Sequence, residues 1–420
     1  MTADAIFRKA AWRLLPFMFL CFVVSFLDRV NVGFAALTMN HDLGFSYEVY
    51  SLGAGIFFLG YFLFEIPSNL ILERVGARRW MSRIMLTWGL VSMMTMFARG
   101  PVSFYALRFL LGLAEAGFYP GMILYLTYWF PGSTRARYIA YFFAAVPFAN
   151  MIGGPISTQV LGMNGIWHLH GWQWLFLLEG IPSLILGVAI LFLLPDRPAS
   201  AAWLNAEEKK IVQDRLAQEP VGEVHGFFEM LRDPRVWMLI VPALGIVIAL
   251  YGINYWLPLM LKGMGFSISQ IGPLTTLPYI CALIAMVLLS FSSDRRGERV
   301  WHTCGAAFIG SGGMLAAALL HGVVPQIAAI CVAVGGLYAA FTILWTFPAA
   351  LLRGTAAAGG FALINSFANL GGFFGPNIMG WLRQHTGGYS AGLSVLALAL
   401  IVACVFLFVV GRSLDSRRAS

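Results

Sequence analysis

The chain has 420 residues, 59% of them hydrophobic and only 11% charged, with a mean hydropathy of +0.78. Soluble domains carry about 25% charged residues, so a water-soluble fold is excluded. The formal net charge of +8 would by itself admit a nucleic-acid partner, but the placement of the basic residues excludes that too.

Apolar runs of about 20 residues recur along the chain, enough to cross a roughly 30 Å hydrocarbon core as helix. Twelve spans are read at about 12–39, 47–72, 81–98, 101–130, 138–161, 172–194, 235–261, 267–292, 302–320, 322–351, 356–381 and 389–411. The first is too long for a cleavable leader and lacks a small-residue cleavage pattern before Asp28. It carries Ser25-Phe26-Leu27-Asp28-Arg29-Val30-Asn31. Each such charge costs about 2.5–3.5 kcal/mol near a bilayer centre, which marks an intramembrane acid and base as functional.

After the second span comes Glu73-Arg74-Val75-Gly76-Ala77-Arg78-Arg79. An acid, bases and a turn glycine in a tight loop suit a charge latch, in which the acid meets a neighbouring base or a helix N-terminus. A basic loop that only fixes topology is the competing reading. In the fourth span Arg108 and Glu115 are seven residues apart and share a helix face.

Asp28, Arg29, Arg108 and Glu115 are read as one centre for protons and an organic anion. Arg29 is always charged and offers a planar fork that fits a carboxylate. Poor solvation favours a carboxyl's neutral form, so Asp28 and Glu115 are expected to take up protons. An anion beside Arg29 is held best when those acids are neutral, so proton and anion each favour the other. A structural ion network between spans one and four is the alternative.

Glu65 and Glu179 have helix-breaking neighbours, Pro67 and Pro182, and are read as structural. In the span 5 stretch Tyr141-Phe-Phe-Ala-Ala-Val-Pro-Phe-Ala-Asn150 only Tyr141 and Asn150 could bond a ligand. A heavily hydroxylated sugar acid would leave hydroxyls unpaired at a cost, which points to a smaller or aromatic carboxylate. Residues 195–234 form a linker with one surface helix, where Asn205 and Glu208 make a capping-box pattern. The domains expected are thus 1–194 and 235–420, each of six spans, joined by 195–234.

Spans 7, 8, 10 and 11 contain no embedded acid. They offer Asn254, Tyr255, Tyr279, Trp345, Asn365 and Asn369, the last two one turn apart. Substrate recognition and helix–helix hydrogen bonding are both open for these groups. Gly153-Gly154-Pro155 and Gly371-Gly372-Phe373-Phe374-Gly375-Pro376 suit gating or packing equally. The five cysteines lie in apolar segments without CxxC spacing, and His168-Leu169-His170 lacks a third ligand, so neither disulfide nor metal is expected. The spans hold no nucleophile–base set, so neither an enzyme nor a cofactor is expected.

Placing both termini in the cytoplasm puts 22 of the 27 Lys and Arg on that side: Arg8, Lys9, Arg13, Arg74, Arg78, Arg79, Arg83, Arg135, Arg137, Arg197, Lys209, Lys210, Arg215, Arg232, Arg235, Arg295, Arg296, Arg299, Arg353, Arg412, Arg417 and Arg418. Arg99, Lys262 and Arg383 fall outside. So lopsided a split fits an even number of spans and explains the net charge as topology. The halves repeat. Leu43-Gly44-Phe45-Ser46 returns as Met264-Gly265-Phe266-Ser267 and Glu73-Arg74-Val75-Gly76 as Asp294-Arg295-Arg296-Gly297, both at an offset of 221.

The repeated loop resembles the signature of the major facilitator superfamily, although its opening glycine is absent here (Asn69, and Ser290 in the second copy). Leu27–Asn31, Phe64-Glu65-Ile66-Pro67-Ser68-Asn69, Arg108-Phe109-Leu110-Leu111-Gly112-Leu113-Ala114-Glu115-Ala116-Gly117-Phe118-Tyr119-Pro120-Gly121 and Asn365-Ser366-Phe367-Ala368-Asn369-Leu370-Gly371-Gly372 narrow it to the anion:cation symporter family. The resemblance implies an all-α membrane protein of twelve transmembrane helices in two pseudo-symmetric six-helix bundles. It implies import of an organic anion (a sugar acid, tartrate, phthalate or hydroxyphenylacetate-like carboxylate) by proton symport with alternating access.

In that reading Asp28 and Glu115 carry protons, Arg29 holds the substrate carboxylate, and Arg108 is its charge partner. Tyr61, Asn365 and Trp345 match substrate-facing positions, with Asn254 and Asn369 beside them. Glu73, Arg74, Gly76 and Arg78, with Asp294, Arg295 and Gly297, form the latch. A monomer in the bacterial inner membrane, multi-pass with both ends cytoplasmic, is expected. Its partners are lipid, protons and a small or aromatic carboxylate, not nucleic acid. Proton-independent exchange and sugar-acid (hexonate or hexarate) symport remain the alternatives.

Overall fold

The computed structural model describes the backbone of residues 3–218, 232, 234–348 and 355–418. Arg353 lies outside the described residues, as do the side chains of Arg137, Tyr141, Arg235, Arg412, Arg417 and Arg418. Among the described residues the chain is helical, without a strand. The first half holds α1 (Ala3–Asp42), α2 (Tyr47–Val75), α3 (Ala77–Met94), α4 (Pro101–Glu115), α5 (Phe118–Thr127), α6 (Gly132–Phe143), α7 (Ala145–Leu161) and α8 (Gly171–Leu193). A short α9 (Ala206–Ala217) follows. The second half holds α10 (Pro234–Gly263), α11 (Ile268–Arg296), α12 (Val300–Leu319), α13 (Val323–Leu344), α14 (Thr355–Asn369), α15 (Gly371–Thr386) and α16 (Ser390–Arg418).

Three expected spans are each built from two helices: α4 with α5, α6 with α7, and α14 with α15. Counting each as one gives twelve spans, six on each side of α9. The breaks have local causes. Span 4 stops after Glu115 because Gly117 takes φ 85°, a left-handed conformation that glycine adopts without strain. Pro120 then falls in the first turn of α5, where no amide hydrogen is needed. Span 5 begins earlier than expected, at Gly132, and breaks after Phe143, whose carbonyl Pro147 cannot serve. Span 11 breaks at Leu370, ahead of a glycine pair.

Helices α2 and α4 pack backbone to backbone, as small residues allow between membrane helices. A Cβ on Gly112 would strike the Phe57 carbonyl. This approach presses the Arg108 and Glu115 side of α4 onto Phe57 and Tyr61 of α2. Gly112→Ala is expected to destabilise the protein by about 1–3 kcal/mol through overpacking. A thermal melt checks it, with Gly305→Ala as the neutral control because nothing lies within 4 Å of that added methyl.

The capping box at α9 is formed: Asn205 Oδ1 accepts from the Glu208 amide at 2.8 Å and Glu208 Oε2 from the Asn205 amide at 3.0 Å. Both Glu208 oxygens also accept from Lys9 Nζ at 2.9 Å, which ties α9 to the start of α1. The Lys9 ammonium, with the Asn205 amide, holds this carboxyl below its ordinary range.

The bundles meet along α2 against α15, α7 against α11, and α1 against α10. The face carrying the termini is the terminal face; the other is the far face. On the far half Lys262 Nζ donates to the Leu37 carbonyl, Tyr50 donates to the Tyr255 carbonyl at 2.7 Å, and the Tyr47 amide donates to Gln384 at 3.3 Å. Nearer the middle, Thr276 donates to the Met151 carbonyl at 2.9 Å and Asn150 donates to Tyr338 at 3.3 Å. The far face is closed by direct contact between the bundles.

Candidate functional site

Successive residues of a helix point about 100° apart, and this separates Asp28 from Arg29. Asp28 turns into the interior of the first bundle. Its Oδ2 accepts from Ser183 at 2.6 Å and Trp88 at 2.8 Å, and its Oδ1 from Ser92 at 3.1 Å. It is 1% exposed. Glu179, one turn before Ser183 on α8, accepts from Ser157 at 2.7 Å in the same interior.

Arg29 turns the other way, toward the second bundle. Its Nη2 is ion-paired with Glu115, and its Nη1 donates to the Tyr251 hydroxyl at 3.1 Å. Ser25 donates to the same Glu115 oxygen at 3.1 Å. The other Glu115 oxygen has no hydrogen-bond partner among the described residues. The Arg29 guanidinium lies 5.0, 5.4 and 5.3 Å from the ring centroids of Phe26, Phe57 and Tyr61, a cation–π box.

Arg108 lies over the same Phe57 ring at 5.1 Å and is 0% exposed. The Tyr50 and Tyr255 hydroxyls are within its electrostatic reach. The Tyr255 hydroxyl approaches it as a hydrogen-bond acceptor, yet none of its three guanidinium nitrogens reaches full hydrogen-bond geometry among the described residues. Arg29, Arg108 and Glu115 therefore form one buried centre carrying two fixed positive charges and one carboxyl, while Asp28 sits apart on its own donors.

The remaining expected residues distribute unevenly. Tyr61 lines the centre directly. Asn254 is held by two tyrosines: its Oδ1 accepts from Tyr279 at 2.9 Å and its Nδ2 donates to Tyr338 at 3.0 Å. Asn365 donates to Glu65 at 2.6 Å. Asn369 ends α14, half-buried. Trp345 caps α13 with its ring edge-on to Phe341. Tyr251, which bonds Arg29 directly, was missed; its signal is its place one turn before Tyr255 on an apolar helix.

At the first loop Gly76 turns the chain at φ 94° between α2 and α3. The acid that meets the start of α3 is Asp196, not Glu73: its Oδ1 accepts from the Arg78 amide at 2.8 Å, and Oδ2 lies 3.9 Å from Arg78 Nε. Glu73 and Arg74 are exposed. In the second copy Gly297 turns at φ 64° and Asp294 faces Arg299 at 3.5 Å, with Arg295 exposed. Glu298 caps α12 by accepting from the Trp301 amide at 2.7 Å. Asp196→Ala is expected to cost about 1 kcal/mol, the usual worth of a helix-capping acid, read as a lower melting temperature.

The model of the Major Facilitator Superfamily matches residues 18–376. A protein of Agrobacterium vitis named "Putative tartrate transporter" is 46% identical over 411 residues, covering 97% of this chain and 92% of that protein. A Pseudomonas putida protein named "Putative metabolite transport protein NicT" is 42% identical, covering 98% of this chain and 96% of that protein. A bacterial homologue of the human lysosomal transporter Spinster, solved inward-facing and occupied, matches with a TM-score of 0.76 at 16% identity, over 95% of this chain and 96% of that one.

Proposed function

Because this chain belongs to the major facilitator superfamily, we propose that it imports a small organic dianion of the tartrate kind together with protons. It is a multi-pass membrane transporter and not an enzyme. The observation that carries the substrate reading is Arg108: a guanidinium wholly out of water, with a loose contact to the Tyr255 hydroxyl and no ion pair among the described residues, beside an arginine already engaged. Buried charges are ordinarily paired, and a carboxylate supplies the pairing.

Charge counting gives the coupling. With Glu115 ionised, it occupies Arg29. A proton on Glu115 cancels the ion pair and frees the Arg29 fork, so the centre then holds two positive charges. A dicarboxylate brings two negative ones and leaves the site neutral, the cheapest state in a low-dielectric setting. Proton and dianion thus each favour the other's binding. The tyrosines at 61, 251 and 255 add hydroxyls for a small polar acid. Asp28, enclosed by three donors, is the second proton carrier. The names of the Agrobacterium relatives favour tartrate over a hexonate.

The distribution of basic residues supports a cytoplasmic terminal face in the bacterial inner membrane, and the twofold helix pattern supports 1–194 and 235–420 as the two rocking bodies. The far-face contacts then form a closed outer gate. Proteoliposomes test the reading: an inward proton gradient is expected to drive tartrate uptake at least tenfold above the rate without one. Equal exchange with and without the gradient would favour the proton-independent exchanger. Strong competition by gluconate, with none by tartrate or phthalate, would remove the small-acid assignment.

A further inference from the structure

We propose that Glu65 is the clasp of the terminal-face gate, locking α2 of the first bundle to α14 of the second. The inference rests on the reading that the two bundles rock apart at this face. Glu65 is 1% exposed, deep in an apolar helix. Its Oε1 accepts from Asn365 Nδ2 at 2.6 Å and its Oε2 from Ser366 Oγ at 2.6 Å. Both carboxylate oxygens are thus taken by consecutive residues of one helix in the opposite bundle. A residue that only packed its own bundle would not spend both acceptors across the interface.

Position makes the contact a gate. Going down α2 from the far face, the partners on the second bundle run from Gln384 beside Tyr47, through Gly372 beside Phe58 and Phe367 against Phe62 at 5.5 Å, to Asn365 and Ser366 at Glu65. Glu65 is the last residue of α2 toward the terminal face with a hydrogen bond to the other bundle among the described residues. Tyr61, one turn earlier, rests on the Arg29 guanidinium. Release of Glu65 therefore lets α2 carry Tyr61 away from the anion site as the gate opens. Asn365 and Ser366 are then exposed toward that opening, so Asn365 serves the closed state as clasp and the open state as a polar lining.

Hydrogen–deuterium exchange on purified protein without added solute tests the clasp. Glu65→Gln keeps the shape but sets an amide donor against two donors. It is expected to give roughly tenfold faster exchange in peptides covering 62–75 and 355–369, while 47–55 and 376–386 stay unchanged. Ser366→Ala, which removes a single donor, is expected to move the same peptides less, and Glu65→Asp to restore part of the protection. Unchanged exchange at 62–75 and 355–369 in Glu65→Gln and Ser366→Ala overturns the proposal. So does uniform acceleration over the whole chain in both, since that marks a fold defect and not a gate. Tartrate uptake by the wild-type protein is a separate readout: its absence counts against the transport reading and leaves the exchange result standing.

Discussion

Arg29→Lys is expected to lower gradient-driven carboxylate uptake by roughly 100-fold or more, although the charge is kept. Lysine has one ammonium on a flexible stem and no planar fork. It cannot serve Glu115 and Tyr251 at once while lying inside the ring box of Phe26, Phe57 and Tyr61. A hydrogen bond to a charged group is worth about 1.5–3 kcal/mol, and the single ammonium forfeits at least one of them. Here the loss falls on Glu115 in the empty protein and on the substrate carboxylate in the loaded one. Binding measured by ligand-induced thermal stabilisation should vanish with uptake. If Arg29→Lys kept near-normal uptake, the guanidinium would not be the substrate's anchor.

Glu115→Gln separates anchoring from coupling. The glutamine no longer occupies Arg29 with a charge, so an anion is expected to bind without needing a proton. Exchange of labelled tartrate should persist while the response to a proton gradient falls, only the share carried by Asp28 remaining.

Much of this arrangement was legible in the chain. The cost of placing Asp28, Arg29, Arg108 and Glu115 in apolar runs identified them, and seven-residue spacing put the last two on one face. The offset of 221 residues suggested a division into two halves. The direction in which Asp28 points was less accessible. Adjacency in sequence suggested a shared site, but the helical turn points the two neighbours about 100° apart, and the donors to Asp28 come from residues 60 to 155 positions away. The same distance hid Glu65. Its partners lie 300 and 301 residues later, on a helix whose Asn365 the sequence credited with substrate recognition or helix–helix hydrogen bonding, with no partner named. Asp196 was hidden for a different reason: the basic loop has an acid of its own, Glu73, which drew the assignment.

Arg108 and Asp28 make opposite predictions about stability, although both are buried charges on one bundle. Asp28 has three donors at 2.6 to 3.1 Å. Asp28→Ala strands Ser183, Trp88 and Ser92 and opens space, and is expected to destabilise the protein by about 3–5 kcal/mol. Arg108 has desolvation to offset and no well-formed hydrogen bond with which to do so. Arg108→Met keeps the aliphatic stem against Phe57 and removes the charge. It is expected to leave the empty protein as stable as the wild type or more stable, by up to about 4 kcal/mol, while abolishing stabilisation by tartrate. Such a gain is the mark of a group retained for what it binds. Paired thermal melts with and without tartrate decide it. An Arg108→Met protein destabilised as severely as Asp28→Ala would mean that the arginine holds the bundle together, and the anion site would have to be sought around Arg29 alone.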